Sequence, residues 1–247
     1  MRKTRNGMQR LGKACREAAP ETIVVFTPHG VTIPGFVSVA YTITAKGVLD
    51  GARGARVCAD FTVDRILAQA LCNEAATLDV PVAPFTCDAP VRDVLDMDWG
   101  AFVPLWFLGA QWPNRPRVVL VCPSRDLPHD TLIAFGRAVA RAAEQSKSRV
   151  AVICSADLGH GHDATGPYGF AVESAEYDSR FCKTVRENAL GRLPRWDAAW
   201  VERAMTDSYW PALMLHGCTE VVPMRSELLS YQAPTYFGMA CAEYRRV

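Results

Sequence analysis

The sequence predicts an α/β fold, a single-domain sandwich with a central mixed sheet flanked by helices, and three observations predict it. Short, continuously apolar runs rich in β-branched residues, such as TIVVF at 22–26 and the runs at 118–122 and 150–155, have strand length and the composition of strands covered on both faces. Between them lie longer stretches whose apolar residues recur at helical spacing. No repeat, low-complexity tract or linker divides the 247 residues, so one domain spans 1–247, and a chain of this length buries a sizeable core.

Taken in order, the run at 22–26 is a buried strand that ends at Thr27, Pro28, His29 and Gly30. A second strand is expected over 36–42, an amphipathic helix over 61–78 and a third strand over 80–85. The runs at 118–122 and 150–155 read as two central strands. The helix between them, 130–145, places Leu132, Phe135, Ala138, Val139 and Ala142 on one face. Helical stretches follow at 174–190, 197–204 and 209–215. The runs at 221–231 and 236–244 read as strands that close the sheet.

Composition removes several function classes. Lys and Arg number 27 against 26 Asp and Glu, a net charge of +1, which is not the basic excess of a nucleic-acid binder. No run of about 18 apolar residues exists to form a membrane span. The basic segment 1–15 has no apolar core or cleavage site of a secretory signal. A soluble, cytoplasmic protein is expected. The nine cysteines, at 15, 58, 72, 87, 122, 154, 182, 218 and 241, are odd in number and include no CxxC pair. They read as reduced thiols acting as small hydrophobes, with neither the pairing of a disulfide framework nor the close spacing of a zinc cluster.

Candidate chemistry gathers at strand ends. His29 follows the first strand and His160 follows the strand at 150–155, in SADLGHGHDATGPYGF. In open α/β sheets ligands sit beyond the carboxyl ends of strands, so two such histidines can meet in one site despite their separation in sequence. Histidine serves there as metal ligand or as general base near neutral pH. The plain alternative is a pair of polar loop residues. His162 reads as a solvent-facing neighbour, His129 as support for a helix start, and His216 in ALMLHG as a core histidine. Asp96, Asp98, Asp157 and Asp163 each suit a cap, and Asp207 suits the N-terminal turn of the apolar helix that follows it. The absence of a Walker loop, of GxGxxG and of GxSxG argues against nucleotide and α/β-hydrolase chemistry.

The segments PETIVVFTPHG, DWGAFVPLWFL, ICSADLGHGHDATGPYGF and LLSYQAPTYFGMACAEY occur in this order, from about residue 21 to 244. Together they resemble the class III extradiol ring-cleavage dioxygenases, the superfamily of the protocatechuate 4,5-dioxygenase catalytic subunit. The resemblance implies Fe(II) held by two histidines and a carboxylate, with open positions for a catechol-like or aminophenol-like ring and for O2. It places His29 at the second metal histidine, His160 at the acid–base histidine and Asp207 near the metal carboxylate. Trp99, His162 and Tyr168 are expected around the substrate pocket. Zinc, or no metal, is the alternative cofactor state, because the same ligand types also hold zinc. The partners implied are a small aromatic substrate and O2, in a homodimer or a hetero-oligomer with a homologous subunit, in aromatic compound catabolism.

Three departures stand beside the resemblance. The family's first metal histidine lies in an N-terminal strand, whereas 1–19 resembles the helix after that strand. Trp99 replaces a histidine of the pattern, and Gln232 replaces a glutamate. A late-assigned start accounts for the first departure; loss of the iron site accounts for all three. In the second case the chain is a catalytically degenerate subunit or a protein-binding module, as Memo-like members of the superfamily are. Without the N-terminal strand, an apolar sheet edge is expected to lie open unless a partner covers it.

Overall fold

The structure, a computed structural model, describes residues 1–51, 54–87 and 93–247. At its centre is β1 (Thr22–Phe26), buried at every position. β1 pairs in parallel with β7 (Arg117–Pro123) on one side and β8 (Val150–Cys154) on the other. β2 (Val37–Ala40) runs antiparallel to β7 and parallel to β5 (Val82–Phe85), giving the mixed order β5-β2-β7-β1-β8. Side chains alternate between two apolar layers, as a period of two requires. Val24, Phe26, Val119 and Val121 face one layer, whereas Ile23, Val25, Val118 and Leu120 face the other.

The first layer is filled by α2 (Arg65–Ala76), α4 (His129–Gln145) and α7 (Tyr209–Val221), which supply Leu71, Leu132, Phe135 and Leu213. The second is filled by α3 (Trp99–Leu105), its π-helical continuation Trp106–Ala110, and a small sheet of β4 (Arg56–Thr62), β3 (Thr44–Asp50) and β6 (Val94–Asp96). α1 (Arg2–Ala18) lies across the π-helical turn and the hairpin of β9 (Met224–Gln232) and β10 (Met239–Arg246). Close approach there requires glycine, because a Cβ at Gly7 would lie 2.6 Å from Ser230 Oγ and one at Gly12 2.6 Å from the Phe107 carbonyl oxygen. α5 (Val172–Arg186) and α6 (Ala198–Arg203) complete the helices around the hairpin.

The α/β sandwich is thus observed, with differences in detail. The helix expected over 61–78 begins at Arg65, because buried Asp64 caps it through Leu67 N–H at 3.1 Å and holds Thr22 Oγ1 at 2.5 Å; Phe61 and Thr62 belong to β4. β8, read as a central strand, lies at the edge of the sheet. The strands expected to close that sheet, β9 and β10, pair among the described residues only with each other. A cavity of about 1050 Å³ separates β8 from β10.

Candidate active site

Three loops beyond the carboxyl ends of β1, β7 and β8 meet the connection between α6 and α7. The loop after β1 carries His29, fixed from below by Thr27. Thr27 Oγ1 donates to Asp98 Oδ1 at 2.7 Å and accepts from the His29 backbone N–H at 3.3 Å. Asp98 also caps α3 through Ala101 N–H at 3.0 Å, as its cap reading expects. Gly100 leaves room for the imidazole, since a Cβ there would lie 3.1 Å from His29 Cδ2. Trp99, half exposed, lies against the His29 ring with centroids 4.4 Å apart and the planes tilted by 30°.

His160 is buried and held by its backbone and its ring. Its N–H donates to the Ala204 carbonyl at 3.3 Å, and Nδ1 lies 2.5 Å from the Met205 carbonyl oxygen. A carbonyl only accepts, so Nδ1 carries the hydrogen and the ring turns Nε2 into the site. Met205 presents that carbonyl from a left-handed backbone, φ 51°, a conformation that L residues other than glycine rarely adopt and that recurs at functional sites. Tyr168, Tyr236 and Phe237 surround the imidazole at centroid distances of 5.3, 6.1 and 5.9 Å.

Asp207 joins the two histidines. Its Oδ2 lies 3.3 Å from His29 Nε2 and 3.7 Å from His160 Nε2, while Oδ1 accepts from the Arg125 guanidinium. Arg125 comes from the loop after β7 and lies over the Trp210 ring at 4.6 Å. The reading of Asp207 as a helix cap is corrected here: α7 starts at Tyr209, its N-cap position is Ser208 with no side-chain cap, and the Asp207 carboxylate turns toward positive and imidazole groups instead. Asp157 is likewise no cap; its Oδ2 lies 3.9 Å from His160 Nε2. Burial pushes the Asp157 carboxyl up to about 6, with His160 opposing the rise and Asp207 adding to it.

The structure separates other residues from this cluster. His162, expected to face solvent, is largely buried, with Nε2 2.8 Å from Asp178 Oδ2; it supports the loop that carries His160. Asp178 is fully buried, accepts from Gly159 N–H and Tyr231 Oη–H at 2.8 Å each, and has its carboxyl raised by that burial. His129 opens α4 beside Tyr209, and His216 is partly buried on α7, 3.6 Å from Glu220. Asp163 holds a turn through Thr165, and Asp96 is exposed on β6. Sequence reasoning missed Arg125, Tyr236 and Phe237. Arg125 carried a usable signal, because it follows an apolar strand as His29 and His160 do.

A family model described as the catalytic LigB subunit of aromatic ring-opening dioxygenase matches residues 1–241. The chain belongs to this family. The chain is also similar to Protein CA_C1420 of Clostridium acetobutylicum, 23% identical over 231 residues, which are 93% of this chain and 49% of that protein. The chain therefore spans about half the length of this curated relative. The fold is also that of the uncharacterized protein JW3007 from Escherichia coli K12, with a TM-score of 0.65 at 15% identity over 95% of this chain and 90% of that one.

The iron implied by LigB membership can be tested against the donors. His29 Nε2 is buried without a hydrogen-bond partner, and 3.3 Å from Asp207 Oδ2 is a spacing that two ligands of one ion adopt, roughly 3.0 to 3.4 Å for bonds near 2.1 Å. Those two donors fit. Among the described residues, no group of three or more His, Cys, Asp or Glu is arranged to hold a metal ion. The described geometry is a pair of donor atoms, His29 Nε2 and Asp207 Oδ2, with the other carboxylate oxygen engaged by Arg125.

Proposed function

We propose that the chain acts in extradiol opening of a catechol-like or aminophenol-like ring by O2, with Fe(II) as its cofactor. The observation that carries this reading is the convergence of His29 Nε2 and His160 Nε2 on Asp207 Oδ2, from loops that are distant in sequence. His29 and Asp207 would hold the ion, which supplies Lewis acidity and a template for ring and O2.

The remaining work belongs to the protein. His160, with Nδ1 tied to the Met205 carbonyl, presents Nε2 to take a proton from a ring hydroxyl. Asp157, whose raised carboxyl value lies near neutrality, stands 3.9 Å away to share that proton. Tyr168, Tyr236 and Phe237 wall the space beside the imidazole and suit a flat ring, while Trp99 covers the open side of His29.

Oxygen uptake with a panel of catechols and aminophenols tests the reading. His160→Ala should lower kcat about 10²-fold or more while the ring still binds. His29→Ala and Asp207→Asn should remove iron and activity together. Absence of uptake with every ring, in a folded protein supplied with Fe(II), contradicts the proposal.

One observation favours a second reading, a catalytically degenerate subunit: the Arg125 guanidinium neutralises the carboxylate that would otherwise compensate a cation. Under it, Arg125→Met raises Co(II) affinity by tenfold or more over a weak wild-type site. Tight wild-type Co(II) binding would exclude that reading.

A further inference from the structure

Arg125 is delivered to the site by a fixed loop. Its guanidinium donates to Asp207 Oδ1, the carboxylate oxygen that is not turned toward the histidines, and its Cζ lies 4.6 Å from the centre of the Trp210 ring. Its backbone is held as well, because the Arg125 carbonyl accepts from Trp210 Nε1–H at 3.2 Å. On either side, Ser124 N–H donates to the Phe36 carbonyl at 3.3 Å and Asp126 Oδ2 accepts from Gly35 N–H at 3.1 Å. The loop after β7 is thus pinned at three successive residues, and the aromatic face beneath the guanidinium limits where it can go.

A guanidinium carries five N–H donors in a planar fork. Among the described residues, Asp207 is the one side chain that this guanidinium bonds, and its own side chain is half exposed. Asp126, the other charge of the loop, is occupied by Gly35 N–H and Ser124 Oγ instead. Most of the fork is therefore open beside Asp207. On the far side of the same carboxylate, Oδ2 lies 3.7 Å from His160 Nε2, and Tyr168, Tyr236 and Phe237 surround that imidazole. An open donor fork and a set of aromatic side chains flank one carboxylate, an arrangement that suits a flat ring bearing one planar oxyanion.

Charge decides what such a ligand does to the site. Arg125 and Asp207 form a neutral pair, and a divalent cation on Asp207 leaves two positive charges uncompensated, with guanidinium and ion sharing one carboxylate. A ligand carboxylate on the open fork removes one of those charges and draws the guanidinium off Oδ1. We propose that Arg125 is an anion-operated latch on Asp207: the carboxylate of an incoming aromatic acid takes over the guanidinium and frees Asp207 for a divalent cation, so acid and cation bind with positive coupling. A neutral ring offers the guanidinium nothing and leaves the latch in place. The inference rests on His29 and Asp207 as cation ligands in the function proposed above, and not on ring opening.

Benzoate and its neutral counterpart benzamide, at neutral pH and fixed ionic strength, are the probes. Co(II) affinity is read by calorimetry and visible absorption in anaerobic protein, with no turnover. Saturating benzoate should tighten Co(II) binding tenfold or more, and Co(II) should tighten benzoate by the same factor, because coupling between two sites is reciprocal. Benzamide should change neither. Arg125→Met with wild-type circular dichroism should bind Co(II) as tightly as the benzoate-saturated wild type and no longer respond to benzoate. Three results overturn the latch while leaving the ligand pair in place: Co(II) binding that ignores benzoate, equal tightening by benzamide, or a benzoate response that survives in Arg125→Met. Absence of Co(II) binding under every one of these conditions overturns the latch and the ligand pair together.

Discussion

Asp157 shows how a single buried carboxylate sets the pH response of the site. Its folded value of about 6 stands above the ordinary 3.8, because burial disfavours the charge more than His160 restores it. Between those values the folded state holds the proton more tightly than the unfolded chain, so this group's contribution to stability falls as pH rises from about 4 to 6. A shift of about two units corresponds to at most about 3 kcal/mol. Asp157→Asn should therefore raise Tm relative to wild type at pH 8 and leave it nearly unchanged at pH 4; an equal gain at both would contradict the assignment. Thr27 and Asp98 position His29 through the 2.7 Å hydrogen bond between them. Thr27→Val, which keeps the volume but removes the hydroxyl, should cost about 1 to 3 kcal/mol and weaken metal binding along with stability, as thermal melts and Co(II) titration would show.

At the scale of elements, α4 and α7 cross at glycine. A Cβ on Gly136 would lie 1.8 Å from the Met214 carbonyl oxygen, and one on Gly217 2.0 Å from the Ile133 carbonyl oxygen. Gly136→Ala and Gly217→Ala should each destabilise by about 1 to 3 kcal/mol in urea unfolding. The double variant should cost less than the sum, because one displacement of the helices relieves both contacts. Apolar runs made most of these elements legible: 22–26, 118–122 and 150–155 all form strands, and the apolar face of the helix after β7 is the face that packs. The β3–β4–β6 sheet was missed for different reasons: TAKGVLD carries a lysine and a glycine in mid-strand, β6 has only three residues, and RVCADFT does alternate, Val57, Ala59 and Phe61 inward, but its last residues fall within the helix expected over 61–78. Sheet membership was also beyond local pattern. β8 and β9–β10 have the composition of a continuous sheet, and only the tertiary arrangement shows the gap between them.

In the molecule as a whole, the site sits where an α/β sheet places sites, beyond the carboxyl ends of neighbouring strands. His29 and His160 were legible because each follows an apolar run. Asp207 was legible only through family resemblance, since locally it has the look of a helix cap. Arg125 follows the apolar run of β7 just as the two histidines follow β1 and β8, a signal that holds for a cation as well as for an imidazole. Native-state hydrogen exchange should divide the sheet accordingly: β1 and β7, paired on both sides, slowest, with β8 and β10 faster because one edge of each is open. Uniform protection across β1, β7 and β8 would contradict the open edge.

The central claim, that His29 and Asp207 form one ion-binding pair served by His160, is tested most directly by anaerobic Fe(II) titration with 4-nitrocatechol as a chromophoric probe. The account predicts binding near one ion per chain and a shifted probe spectrum, retained in His160→Ala and lost in His29→Ala and Asp207→Asn. A folded wild-type protein that neither takes up Fe(II) nor shifts the probe, or binding indifferent to both ligand substitutions, would contradict it.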